Sequence, residues 1–127
     1  AGNPVRLFRS HRDDYRDGEQ QRDFVYVNDC VDVVLWLLDQ PLVQGTFNLG
    51  TGTARTFLDL ANAVYGALDT PPDIEFIDTP ESIRERYQYF TEARMDRLRD
   101  AGFNQPPTSL EDGVASYVRD YLMQEDH

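Results

Sequence analysis

One arginine stands where it could bind a negatively charged ligand. Arg22 lies between a polar loop, residues 9–21, and the apolar run Phe24–Val27. This junction fixes the backbone and leaves the guanidinium free to turn, and its planar set of donors matches a diphosphate bidentately. An ion pair with Asp23 or Asp29 is the structural alternative, and spacing alone leaves both open.

A second candidate group follows a proline. Arg84, Arg86, Tyr87 and Gln88 lie close together after Pro80. Two arginines and a tyrosine in one loop could bind a phosphate and stack on a sugar or a base. The alternative is an ordinary charged loop in solvent.

A glycine turn is the third candidate. Gly50-Thr51-Gly52 follows the predicted strand Gly45–Leu49, where backbone amides can bind a phosphate. The third glycine of a dinucleotide-binding loop is missing at the expected spacing. A tight turn with positive φ is therefore the favoured interpretation.

Composition excludes several kinds of chemistry. The net charge is −11, which argues against nucleic acid or an anionic membrane as a partner. All 12 basic residues are arginine, so this chain cannot supply a Tyr-x-x-x-Lys pair, a Schiff-base lysine or a P-loop lysine. The single cysteine rules out an internal disulfide. No metal-ligand spacing is present, and no acid is placed to complete a triad with His11.

The elements that would position these residues alternate along the chain. Short apolar runs predict four strands, at Pro4–Phe8, Phe24–Val27, Gly45–Leu49 and Ile74–Ile77. Helical spacing after a polar cap predicts four helices, which begin at Asn28, Thr56, Thr91 and Thr108. Strands that alternate with helices predict an α/β fold with a small sheet.

Local signals refine these helices. A capping box is predicted at Thr56 with Asp59 and at Thr108 with Glu111. Gly102 should end the third helix in a left-handed conformation. The first helix repeats apolar residues on one face, namely Val31, Val34, Leu35 and Leu38.

Five segments together resemble a known family. They are Leu7–His11, Gly18–Val27, Phe47–Gly52, Arg86–Thr91 and Leu98–Phe103. The chain is similar in these segments to ADP-L-glycero-D-manno-heptose 6-epimerases, which are extended short-chain dehydrogenases/reductases of the NAD-dependent epimerase/dehydratase family. The second and third segments are shared by nucleotide-sugar epimerases and dehydratases in general, whereas the fourth is more selective.

The resemblance implies a division of labour. It implies that residues 1–127 form the carboxy-terminal substrate-binding region of a larger enzyme, and that residues 28–52 pack with a nucleotide-binding Rossmann domain. The implied substrate-binding residues are Phe8, Arg9, Ser10, His11, Arg22 and Tyr87. No catalytic, cofactor-binding or metal-binding residue is implied in this chain, and alone it should be inactive.

The resemblance also implies the reaction. An ADP-sugar would be inverted at C6 of its heptose with NADP, for lipopolysaccharide core synthesis in the cytoplasm, by a homo-oligomer that is a pentamer in this family. Another nucleotide-sugar epimerase, dehydratase or reductase, and a non-catalytic sugar-nucleotide-binding or assembly module, remain alternatives. The apolar faces of the Val31 helix and of the Phe47 strand are expected to be exposed, which would favour self-association.

Overall fold

Two small sheets organise the chain. The computed structural model describes residues 3–123, so the expected fraying of the polar tail 124–127 lies outside the described residues. Strand β1 (Val5–Phe8) pairs in parallel with β4 (Ile74–Ile77), with Phe8 opposite Ile77. Strand β2 (Gln21–Arg22) pairs in antiparallel with β3 (Arg55–Thr56).

Helices connect and cover these strands. In chain order they are α1 (Val27–Leu38), α2 (Phe57–Ala67), α3 (Glu81–Arg84), α4 (Asp96–Asp100) and α5 (Leu110–Tyr117), the last continuing into a π-helical turn (Val118–Leu122). Across residues 3–123, no helix is both long enough and apolar enough to cross a membrane.

The strongest local signals predict the structure correctly. The strands predicted at Pro4–Phe8 and Ile74–Ile77 are both present and form the parallel pair. Helix α2 begins at the predicted capping box. The hydroxyl of Thr56 accepts from the Asp59 amide at 2.9 Å, and the Asp59 carboxylate accepts from the Thr56 amide at 3.1 Å. The α/β class is confirmed, with the strands divided between two separate pairs.

Two predicted strands are wrong. Neither Phe24–Val27 nor Gly45–Leu49 is a strand. A strand needs a neighbour to pair its backbone groups, and none of the strands in residues 3–123 lies beside either run. Helix α1 instead begins at Val27, so the predicted cap Asn28 lies inside it.

The predicted start of the third helix, at Thr91, is also wrong. Residues 91–95 form no regular secondary structure, and α4 begins only at Asp96. The amide of Thr91 donates to the Gln21 carbonyl at 3.2 Å, and that of Ala93 donates to Asp23 at 3.0 Å. These amides are therefore bound to other segments. The stop is as predicted, because α4 ends before Gly102, which has φ +118°.

The last helix begins one residue later than predicted. Ser109 caps α5 by accepting from the Asp112 amide at 3.1 Å. Thr108 is occupied elsewhere, since its amide and hydroxyl both donate to the carboxylate of Asp29, at 2.7 and 2.6 Å. This contact joins the start of α5 to α1.

A small core lies against the face of α1 opposite to the apolar face noted in its sequence. Val33, Met95 and Leu98 are buried there, with Trp36 and Phe47 packed against them. That apolar face is open, since its four residues, Val31, Val34, Leu35 and Leu38, are 48 to 74% exposed. The expected exposed patch is thus confirmed for α1. It is wrong for Phe47, because that segment turns inward onto the core.

Candidate functional site

Arg22 is a cation held against two aromatic rings. Its backbone belongs to β2 and pairs with Arg55 of β3. The guanidinium carbon lies over the rings of Tyr87 and Phe57, 5.1 and 5.4 Å from their centres. Nη1 donates to the Gln21 carbonyl at 2.8 Å. Within residues 3–123 no carboxylate forms an ion pair with Arg22, so the structural alternative is not realised.

The two candidate carboxylates are engaged elsewhere. Asp29 accepts from Thr108. Asp23 accepts from the amides of Thr51, Gly52 and Ala93 at 2.9, 2.9 and 3.0 Å, and also from the Thr51 hydroxyl. Burial alone would raise the pKa of Asp23, but these hydrogen bonds outweigh it and the pKa lies below its ordinary value. The carboxylate beside Arg22 in sequence is therefore a structural anchor.

The glycine turn is structural as well. Gly52 has φ +79°, the conformation expected of a tight turn. A Cβ on Gly50 would lie 2.6 Å from Cβ of Ala93, so only glycine fits there. Because the amides of Thr51 and Gly52 already donate to Asp23, this turn does not fit the phosphate of a dinucleotide. The turn interpretation is the correct one.

Tyr87 joins the arginine to the end of β1. Its ring packs edge-on against Phe8, 5.5 Å between centres, and against Tyr89, 5.6 Å. Burial raises the pKa of Tyr87, while the nearby Arg22 lowers it to a smaller extent and Tyr89 adds to the increase. Since the net shift is upward, the phenol keeps its proton and can donate a hydrogen bond.

A cleft of about 140 Å³ opens beside these rings. It is lined by Arg6, Leu7, Phe8, Gln20, Phe57 and Tyr87. A larger groove of about 450 Å³ lies between α2 and α5, and its lining contains no charged residue. An anionic ligand requires cations or amide donors, so the smaller cleft is the better candidate site.

Gln20 supports the rim of this cleft. The residue is 1% exposed, and its Nε2 donates to the carbonyls of Phe8 and Arg9 at 3.2 and 3.3 Å. The Thr79 hydroxyl donates to the same Arg9 carbonyl at 3.1 Å. The role of Gln20 is not predictable from the sequence, because a glutamine within a polar loop carries no signal of burial.

Four of the six predicted site residues are not among those that line the cleft, namely Arg9, Ser10, His11 and Arg22. Arg22 lies against the rings of Phe57 and Tyr87, which do line it. The guanidinium of Arg9 pairs with exposed Asp78 at 3.3 Å. The Ser10 hydroxyl donates to the Arg12 carbonyl at 2.8 Å. The backbone amide of His11 donates to the Tyr89 hydroxyl at 2.8 Å, while the residue itself is exposed. The structure thus brings together Phe8, Arg22 and Tyr87, with Arg9, Ser10 and His11 on the adjoining loop.

The predicted arginine pair near Tyr87 is structural. Nε and Nη2 of Arg84 both donate to the Thr79 carbonyl, at 3.2 and 2.9 Å. Arg86 is exposed and donates to the Ser82 carbonyl at 3.3 Å. Only Tyr87 of this group reaches Arg22. Phe57 also contacts Arg22, but the sequence predicted it only as part of a helix.

The chain resembles known proteins over most of its length. The model of the NAD dependent epimerase/dehydratase family matches residues 2–50. An ADP-L-glycero-D-manno-heptose-6-epimerase of Nitratidesulfovibrio vulgaris strain DP4 is 59% identical over 122 residues, which is 96% of this chain and 38% of that protein. The enzyme of the same name from Fusobacterium nucleatum is 44% identical, over 96% of this chain and 39% of its own length. The chain therefore spans less than two-fifths of these relatives.

Solved structures share the fold. The Helicobacter pylori ADP-L-glycero-D-manno-heptose-6-epimerase superimposes with a TM-score of 0.71 at 23% identity, over 95% of this chain and 34% of that one. The Thermus thermophilus UDP-glucose 4-epimerase, solved with NAD, gives 0.74 at 22% identity, over 96% and 36%. At these identities the two structures show the fold alone, while the family model and the sequence relatives show that the chain is similar to members of the NAD dependent epimerase/dehydratase family.

Proposed function

We propose that this chain is the carboxy-terminal, substrate-binding part of an epimerase that inverts C6 of the heptose in ADP-glycero-manno-heptose. The observation that carries the proposal is the 59% identity, over 96% of the chain, to a protein named as such an epimerase. The geometry supports the part of the proposal that concerns an anionic ligand. Arg22 is partly buried beside an aromatic cleft, and none of the carboxylates described in residues 3–123 neutralises it.

The residues of this chain would bind and orient the ADP-sugar. Arg22 would bind the diphosphate, because its donors match two phosphate oxygens at once. The Tyr87 hydroxyl would donate to the sugar, and the Phe8 ring would form the wall of the cleft. Arg9, Ser10 and His11 would close over the ligand from the loop after β1, where Arg9 must first leave Asp78.

The cofactor would be held by residues outside this chain. NADP, when bound, would supply the oxidation and reduction at C6. The amides of the glycine turn, Thr51 and Gly52, are committed to Asp23, and the sequence has no lysine. The exposed apolar face of α1 supports packing of residues 28–52 against a nucleotide-binding domain. We also propose a homo-oligomer, a pentamer by family resemblance, that acts in the cytoplasm in the synthesis of lipopolysaccharide core precursors.

A substrate panel on the intact enzyme tests the proposal. Proton NMR would follow inversion at C6 of ADP-glycero-manno-heptose, beside UDP-glucose and dTDP-glucose as competitors. We expect turnover of the ADP-heptose alone, and preference for a UDP- or dTDP-sugar would contradict the assignment. The isolated chain with added NADP should be inactive, so turnover by it would contradict the proposed division of labour.

A further inference from the structure

The backbone of Phe57 is fixed by the loop that carries Arg22. Phe57 is the first residue of α2, directly after the capping box of Thr56 and Asp59. Its amide donates to the Gln20 carbonyl at 3.1 Å, two residues before Arg22. Its ring is wedged edge-on against Phe24, 5.5 Å between centres at 81°. Both the backbone and the ring of Phe57 are therefore held in place.

The contacts of Arg22 leave one edge of its guanidinium open. Nη1 is occupied by the Gln21 carbonyl at 2.8 Å. For Nε and Nη2, residues 3–123 offer no acceptor within hydrogen-bond distance. The same edge of Arg12 binds a carboxylate, with Nε and Nη2 at 3.0 and 2.6 Å from the oxygens of Asp14. In Arg22, this bidentate edge is free for an external anion.

We propose that Phe57 is a positioning residue, which holds the Nε–Nη2 edge of Arg22 toward the diphosphate of an ADP-sugar in the cleft. This inference rests on the proposed function. The electron-rich ring face attracts the guanidinium, and together with the Tyr87 ring it orders a long, flexible side chain before the ligand arrives. Ordering in advance reduces the entropy lost on binding.

Two substitutions of Phe57 distinguish the effect of its aromatic ring face from the effect of its apolar volume. Phe57→Leu keeps an apolar side chain against Phe24 but removes the ring face under Arg22. Phe57→Tyr keeps the ring face and serves as the conservative control. If only packing matters, these two variants should differ only in stability. If the ring positions Arg22, they should differ in ligand affinity.

A double-mutant cycle tests the proposal in the intact enzyme. Calorimetry would measure the affinity for ADP-glucose at saturating NADP, which fills the cofactor site, in the wild type and in Arg22→Ala, Phe57→Leu and the double variant. We expect Phe57→Leu to weaken binding by about two- to fivefold in the wild-type background, as for a cation–π contact. It should have no effect in the Arg22→Ala background, and Phe57→Tyr should bind like the wild type.

The outcomes separate the two levels of the proposal. An equal loss in both backgrounds, or no loss in either, would overturn the positioning role and leave Phe57 as a packing residue. If the wild type fails to bind ADP-glucose and ADP-heptose alike, the proposed function itself fails. Should Phe57→Leu fail to fold in a thermal scan, Phe57→Met, which also lacks a ring, takes its place in the same cycle.

Discussion

The carboxylate of Asp23 accepts a hydrogen bond from the amide of Ala93, at 3.0 Å, across 70 positions of sequence. The same side chain binds the amides of Thr51 and Gly52. One residue thereby ties three distant segments together beside Arg22. The position of the site depends on this anchor, although the anchor itself does not face the cleft.

Replacing Asp23 with Asn should destabilise the protein. The amides of Gly52 and Ala93 both donate to Oδ2 of Asp23. In asparagine, an NH₂ group would take the place of this oxygen, and the two amides would lose their acceptor. We expect a loss of about 2–4 kcal/mol in the free energy of unfolding, measured by urea denaturation. Asp39→Asn, at an exposed carboxylate, is the control and should change stability by less than about 0.5 kcal/mol. Equal effects of the two substitutions would contradict the anchoring role.

The same anchor predicts how stability depends on pH. The pKa of Asp23 in the folded protein lies below its ordinary value of 3.8, despite the opposing effect of burial. Its contribution is therefore fully present above pH 3.8 and is lost as the pH falls through the lower folded pKa. Urea denaturation of the wild type and of Asp23→Asn should give free energies that converge in acid. A constant difference down to the lowest pH would refute this.

Binding of an ADP-sugar should depend on the fork of Arg22. Arg22→Ala should weaken binding by about 1.5–3 kcal/mol, the value of a hydrogen bond to a charged group. Arg22→Lys should recover little of this, because an ammonium cannot make the bidentate contact. Isothermal calorimetry on the intact enzyme measures both, with exposed Arg86→Ala as the matched control. Unchanged affinity in Arg22→Ala would assign this arginine a structural role.

The exposed stripe of α1 predicts self-association of the isolated chain. Val34 and Leu38 are 54% and 74% exposed on this face, and burying them against a second copy removes apolar surface from water. Val34→Lys with Leu38→Lys should shift the weight-average mass toward the monomer in analytical ultracentrifugation. Asp39→Lys, an exposed polar site on the same helix end, should not. A monomeric wild-type chain at all concentrations would contradict the prediction.

Local signals account for what the sequence predicted of the fold. The capping box of Thr56 and Asp59 and the alternation of polar and apolar residues in β1 each involve only a few neighbouring residues. They can therefore be recognised in a single sequence. The irregular segment 91–95 is different, because the amides of Thr91 and Ala93 donate to residues far away in the chain. The failed strand Gly45–Leu49 has the same origin, since a strand exists only with a partner.

The site divides in the same way. Arg22 and Tyr87 were predicted from residue type and from family resemblance, and the structure places them together. Gln20 and Phe57 act through burial and ring geometry, which depend on how β2 meets β3 and α2. No pattern in the sequence around Gln20 or around Phe57 predicts these contacts.

Substitutions of Tyr87 can distinguish the contribution of its hydroxyl group from that of its ring. Tyr87→Phe keeps the ring over Arg22 and against Phe8, so the free energy of unfolding should be unchanged. Binding of the ADP-sugar should weaken by about 0.5–1.5 kcal/mol, the value of one hydrogen bond. Tyr87→Leu should lose more, because the cation–π contact goes as well. Since burial raises the pKa of Tyr87 above 10.0, the loss measured by calorimetry should be the same from about pH 6 to about pH 9. A loss that disappears toward the alkaline end would mean that the phenol ionises there and that its proton is not held as the structure implies.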